Sequence, residues 1–148
     1  MKVMVLNGPN INMLGIREKN IYGDDSYDDL LKYLDKEAKK RNLIIDVFQS
    51  NHEGFLIDKI QEAYFNNYDG IIINPAAYTH TSIAIADAIK AISPIPVVEV
   101  HLSDIDNRDE YRKISYSAPY CIKQIKGFGF ESYSMAMDEL ISYLRSSS

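Results

Sequence analysis

Ile71-Ile72-Ile73-Asn74-Pro75-Ala76-Ala77-Tyr78-Thr79-His80-Thr81 sets three consecutive β-branched apolar residues against a cluster of polar, chemically capable ones. Asp69-Gly70 precedes it as a turn signal. A short apolar run bounded by turn residues reads as a strand buried on both faces, the mark of a parallel sheet. Working outward, the pattern recurs twice. Val3-Met4-Val5-Leu6 runs into Asn7-Gly8-Pro9-Asn10, and Val97-Val98 runs through Glu99-Val100 into His101-Leu102-Ser103. In open α/β sheets, ligands bind in the crevice beyond the carboxyl ends of the strands. Three strand ends rich in Asn, His, Glu and Ser therefore predict one shared small-molecule site.

Helical patterns fill the intervals. After a strand at 2–7 and a long polar loop at 8–25, Ser26 is a good N-cap with Asp28 and Asp29 in the first turn. Tyr27, Leu30, Leu31, Leu34 and Ala38 follow at helical spacing. Leu43 to Phe48 reads as a second strand, and Phe55, Leu56, Ile60 and Ala63 mark a second helix. Thr81 or Ser82 caps a third helix carrying Ile85, Ala86, Ile89 and Ile92, which Pro94 and Pro96 end before a strand at 97–101. A short helix near 107–113, a fifth strand from Tyr120 to Ile125 and a closing helix at about 131–145 complete the pattern. Alternating strands and helices imply right-handed crossovers and an α/β, flavodoxin-like three-layer fold. Its five-stranded parallel sheet has the expected order 2-1-3-4-5, in a single catalytic domain over residues 1–148.

Composition narrows the function classes. The 148 residues are 46% hydrophobic and 25% charged, as in an ordinary soluble domain. A net charge of −5 offers no basic patch for nucleic acid. Lys36, Lys39, Lys40 and Arg41 fall at a helix end, where cations complement the macrodipole. Cys121 is the single cysteine, so no internal disulfide forms; it reads as a small core residue in a strand-like run. No run approaches the ~18 apolar residues that span a bilayer, and the expectation is a cytoplasmic protein with no membrane role. His52, His80 and His101 lack the H-x-H or H-x-x-x-H spacing of a metal site. Gly127-Phe128-Gly129-Phe130-Glu131-Ser132 lacks the third glycine of a dinucleotide turn and follows the last strand instead of the first. Neither a P-loop nor a G-x-S-x-G nucleophile motif occurs.

The chemistry concentrates at the strand ends. Glu99 and His101, two apart on a strand, share a face. A carboxylate beside an imidazole fixes its tautomer and favours its protonated form, which makes His101 a candidate general acid or base. His80 sits just before a helix N-terminus, where it can bond a ligand hydroxyl, while His52 reads as structural. Arg17 and Tyr22 lie in the first loop, whose length suggests a lid. Free Tyr is only ~0.1% ionised at neutral pH, and lowering its pKa by ~2 units requires ~2.7 kcal/mol of preferential stabilisation. A partly desolvated Arg nearby can supply much of that. Arg108 and Arg112, at i,i+4 on the short helix, can clamp an anion or hydroxyls.

These segments carry a resemblance. Asn7-Gly8-Pro9-Asn10-Ile11-Asn12-Met13-Leu14-Gly15-Ile16-Arg17-Glu18 with Tyr22-Gly23 resembles the opening of the type II 3-dehydroquinate dehydratases (type II dehydroquinases). Gln49-Ser50-Asn51-His52-Glu53-Gly54, the stretch from Asn74 to Ser82, Glu99-Val100-His101-Leu102-Ser103 and Arg108-Asp109-Glu110-Tyr111-Arg112 follow in family order. The resemblance implies trans dehydration of 3-dehydroquinate to 3-dehydroshikimate, without cofactor or metal, by a homododecamer built as four trimers. It implies that Tyr22 removes the proton beside the ketone, that Arg17 keeps Tyr22 ionised, and that His101, oriented by Glu99, protonates the departing hydroxyl. Asn10 would help hold the enolate through a water. Asn74, His80, Arg112 and the Leu102-Ser103 segment would bind substrate hydroxyls and carboxylate, and Asp87 would reach a neighbouring subunit's site.

The chain departs from the family pattern at four positions: Lys19 where proline is usual, Ala86 where Arg is common, Lys113 where His is common, and Ser132 where glycine is usual. A signalling receiver domain would share the fold, and Lys126 suits it. That module, however, wants acidic residues after strand one and an Asp ending strand three, where this chain has Asn7-Gly8-Pro9-Asn10 and Asn74.

Overall fold

The computed structural model describes residues 1–16, 24–107 and 109–147. Arg17, Tyr22, Lys19 and Arg108 lie outside the described residues. Five parallel strands form one sheet in the order β2-β1-β3-β4-β5: β1 (Lys2–Asn7), β2 (Ile44–Gln49), β3 (Gly70–Asn74), β4 (Val97–His101) and β5 (Lys123–Lys126). This is the flavodoxin-like order expected from the alternation. Four helices cover it: α1 (Tyr27–Lys40), α2 (Glu53–Phe65), α3 (Ile83–Ala91) and α4 (Glu131–Ser146).

Alternation along the strands sorts side chains between two cores. Val3, Val5, Ile72, Val98, Val100 and Ile125 pack under α1 and α4 with Leu30, Leu34, Tyr133 and Met137. Met4, Leu6, Ile71, Ile73 and Val97 pack under α2 and α3 with Leu56, Ile60, Ile85 and Ile89. Because helices lie on both faces, β3 and β4 are buried throughout, which is why their sequences are nearly unbroken apolar runs.

Local chemistry sets the helix ends. Ser26 and Asp29 form a capping box: Ser26 Oγ accepts the Asp29 N–H at 3.1 Å and Asp29 Oδ2 accepts the Ser26 N–H at 2.9 Å. Ser82, of the two candidate caps, is the one that starts α3, accepting the Ile85 N–H at 2.9 Å. The basic run at the end of α1 is spent on intramolecular acids. Lys39 pairs with Asp35, Lys40 with Glu37, and Arg41 makes a two-pronged contact with Asp138 of α4 at 2.7 and 3.2 Å. No described helix is long and apolar enough to cross a membrane.

Two expected elements are corrected. The helix near 107–113 is instead two single 3₁₀ turns, Ile105–Asn107 and Glu110–Arg112. Asp109, with ψ 149°, is extended and separates them. The charged segment has no apolar stripe that a continuous helix would bury. The fifth strand begins at Lys123 instead of Tyr120 because Ala118–Tyr120 forms a 3₁₀ turn around Pro119. Cys121 therefore precedes the strand, half-buried against the second core.

Candidate active site

Strand register builds the site. Asn7 stands level with Gln49 on one side and Asn74 on the other, so three amides end three adjacent strands. Beyond them the chain turns sharply. The Gly8 N–H donates to the Asn74 carbonyl at 2.8 Å, and a Cβ on Gly8 would sit 2.5 Å from the Pro75 carbonyl oxygen. That approach needs a glycine. Asn10 (φ 68°) and Ala76 (φ 52°) both hold left-handed backbone at the same rim. Ala76 bears the strain because its N–H is captured by Asn74 Oδ1 at 3.1 Å.

Beyond the strand ends lies an open cleft. Asn10, Asn74, His80, His101, Leu102, Ser103 and Arg112 all line it, with Ile11, Leu14 and Ile105 as apolar walls. Sequence positions separated by most of the chain thus meet at the switch point between β1 and β3. Glu99 does not line the cleft. It lies behind His101, with 0% exposure against 5% for the imidazole. Asp87 is exposed on α3, away from its own cleft. His52 is exposed and only its backbone starts α2.

The buried Glu99 carboxylate is fully engaged. It accepts His101 Nε2–H at 2.8 Å, Ser115 Oγ–H at 2.9 Å, Gln124 Nε2–H at 2.7 Å and a short bond from Ser117. Burial pushes its pKa up, but the His101 contact and the Ser117 and Gln124 hydrogen bonds outweigh that and hold it below the ordinary carboxylate range. A charged Glu99 accepts at Nε2 and so directs the imidazole's other nitrogen away from the carboxylate. His101 is itself braced: its carbonyl accepts from Ser132 Oγ at 3.2 Å and from the Gly127 N–H at 3.3 Å.

His80 stands apart from the Glu99 network. Burial holds its pKa below the ordinary imidazole value, aided by the nearby His101 and Arg112 and only partly opposed by the Ile114 carbonyl. Nδ1–H donates to that carbonyl at 2.6 Å, which leaves a neutral ring with Nε2 as an acceptor. Arg112, half-buried with Nε 3.9 Å from Asp109 Oδ2, places a cation at the rim. The cleft therefore brings two imidazoles, a guanidinium and amides together.

Ser115, Ser117 and Gln124 carry no motif that marks them in the sequence. Gln124 is signalled only by register, standing level with Glu99 on the neighbouring strand. Among the described residues, no group of three or more His, Cys, Asp or Glu is arranged to hold a metal. Nor does the receiver reading find its acidic pocket: β3 ends in Asn74, and Lys126 is paired with Asp106.

The profile of the family described as Dehydroquinase class II matches residues 1–141. A 3-dehydroquinate dehydratase of Clostridium beijerinckii is 57% identical over 140 residues, 95% of this chain and 95% of that protein. One of Fusobacterium nucleatum is 57% identical over 145 residues, covering 97% and 98%. The crystal structure of a type II dehydroquinase from Butyrivibrio crossotus matches with a TM-score of 0.93 and 54% identity, over 95% of this chain and 97% of that one. That of Propionibacterium acnes matches with a TM-score of 0.90 and 36% identity, over 95% and 96%.

Proposed function

The chain belongs to the class II dehydroquinase family, and from that membership we infer that its cleft dehydrates 3-dehydroquinate to 3-dehydroshikimate. It is a carbon–oxygen lyase of the shikimate pathway. The observation that carries the reading is that His101, backed by Glu99, lines one cleft with Asn10, Asn74, His80 and Arg112. Elimination beside a ketone needs a base, an acid for a poor leaving group, and stabilisation of the enolate between the two steps.

In this reading Tyr22, kept ionised by Arg17, takes the proton from the carbon next to the ketone. The electron pair moves into the carbonyl oxygen, and Asn10 holds that enolate through a water. The enolate then re-forms the ketone as the carbon–oxygen bond on the opposite face breaks, and His101 delivers its proton so that water leaves. Glu99 orients His101 throughout. Asn74, His80, Arg112 and the Leu102-Ser103 segment take the substrate hydroxyls and carboxylate. The chemistry requires neither metal nor cofactor, and the protein works in the cytoplasm as one catalytic domain. Asp87 points from α3 to the site of a neighbouring chain within a trimer, four of which form a dodecamer.

Incubation with 3-dehydroquinate tests the activity directly. Conjugated-enone absorbance should rise, unchanged by a chelator, and borohydride added with substrate should leave the enzyme active. No absorbance change overturns the activity. Chelator loss restored by a divalent ion, or a trapped lysine adduct, overturns the cofactor-free mechanism.

A further inference from the structure

One fully buried tyrosine touches the site without lining it. Tyr133 of α4 is 0% exposed. Its hydroxyl donates to Asn7 Oδ1 at 2.6 Å and accepts from Asn74 Nδ2 at 3.2 Å. A phenol has one proton, and here it is committed to Asn7. Toward Asn74 the oxygen can therefore only accept. Burial raises the Tyr133 pKa, so the hydroxyl stays protonated and this polarity holds at neutral pH.

We propose that Tyr133 is a positioning residue for substrate binding: held by Asn7, its hydroxyl locks the Asn74 amide so that Asn74 presents an N–H to the cleft. The bookkeeping of donors supports this. Asn74 Oδ1 is taken by the Ala76 N–H at 3.1 Å, and one Nδ2 hydrogen by Tyr133. One N–H remains on a side chain that lines the cleft. A flipped amide would set Nδ2 against the Ala76 N–H and Oδ1 against the Tyr133 lone pair, two repulsive contacts in a buried site.

Asn7 shows how firmly the polarity is kept. Among the described residues its buried Nδ2 meets no partner within hydrogen-bonding geometry. Burial raises the Tyr27 pKa, and the Asn7 amide beside that hydroxyl opposes the rise. Asn7 thus keeps its oxygen toward Tyr133. The relay joins α4, β1 and β3, and it deepens the reading of Asn74 as a substrate residue, on which it rests.

Steady-state kinetics on 3-dehydroquinate test it with Tyr133→Phe, Asn74→Ala and the double variant. Tyr133→Phe keeps the ring and should raise KM about tenfold, the size of one misdirected hydrogen bond, with kcat within about threefold. The double variant should have the KM of Asn74→Ala alone, because the hydroxyl acts only through that amide. Asn7→Leu, which frees the Tyr133 proton to turn toward Asn74 Oδ1, should raise KM in the same way and serves if Tyr133→Phe does not fold. Normal KM in Tyr133→Phe or Asn7→Leu, with only a lower melting temperature, overturns the proposal while Asn74→Ala is impaired. So do additive effects in the double variant. Normal KM in Asn74→Ala instead overturns the assignment of Asn74 to substrate, and the positioning role falls with it.

Discussion

Glu99 is a residue whose ionisation links stability to chemistry. Its folded pKa lies below the ordinary glutamate value of 4.5, because the His101, Ser117 and Gln124 contacts outweigh burial. A carboxylate depressed in this way adds stability that is fully present above its unfolded pKa and is lost as pH falls through the folded value. Acidification from about 4.5 downward should therefore weaken the wild-type protein, and Glu99→Gln, with no charge to lose, should show a flatter dependence. Urea midpoints followed from neutral pH through the carboxylate range measure this; parallel curves for the two proteins would refute it. In catalysis Glu99→Gln should lower kcat by about 100-fold, since the carboxylate that accepts from His101 Nε2–H and fixes the imidazole's orientation is gone. An unchanged kcat would separate Glu99 from the work of His101. Tyr22→Phe should lower kcat by at least about 100-fold with far less change in KM, and retention of more than roughly a tenth of the activity would place the base elsewhere.

At the scale of elements, two glycines make opposite predictions. Gly8 joins the ends of β1 and β3, where a methyl group would meet the Pro75 carbonyl oxygen at 2.5 Å. Gly8→Ala must push the two strand ends apart, so both the melting temperature and substrate affinity should fall. Gly54, in the first turn of α2, has nothing within 4 Å of an added Cβ. Gly54→Ala should therefore stabilise the protein by about 0.5 kcal/mol without touching kinetics. A tolerated Gly8→Ala would show that the rim yields more than its contacts indicate. Ser132 adds a further brace. Where the family pattern has glycine, its hydroxyl accepts the Phe128 N–H at 3.3 Å and donates to the His101 carbonyl at 3.2 Å, tying the start of α4 to the end of β4.

For the whole molecule, the question is where Asp87 acts. Ile83 and Asp87 lie one turn apart on an exposed face of α3, Ile83 being 60% exposed, and Asp87 is outside its own cleft. If that face meets a second chain, Asp87→Ala and Tyr22→Phe subunits, each inactive alone, should recover part of the activity when dissociated and reassembled together. Hybrids would then contain sites with an intact Tyr22 from one chain and an intact Asp87 from the next. Full activity in Asp87→Ala alone, or dead hybrids after confirmed mixing, would refute sharing.

The sheet was legible in the sequence because its central strands β1, β3 and β4 are short buried apolar runs, each with its polar residues at its own carboxyl end. Glu99 and His101 could be paired for the same local reason: a period of two puts them on one face. The single helix expected at 107–113 and the early start of the fifth strand were misread where weak local signals compete, at Asp109 and Pro119. What only the tertiary structure decided is contact between residues remote in the chain. Gln124 reaches Glu99 through strand register, Ser115 and Ser117 through successive turns, and Tyr133 reaches Asn7 from 126 residues away. Side-chain periodicity records which face a residue occupies, but not which partner the packing of helix on sheet brings to it.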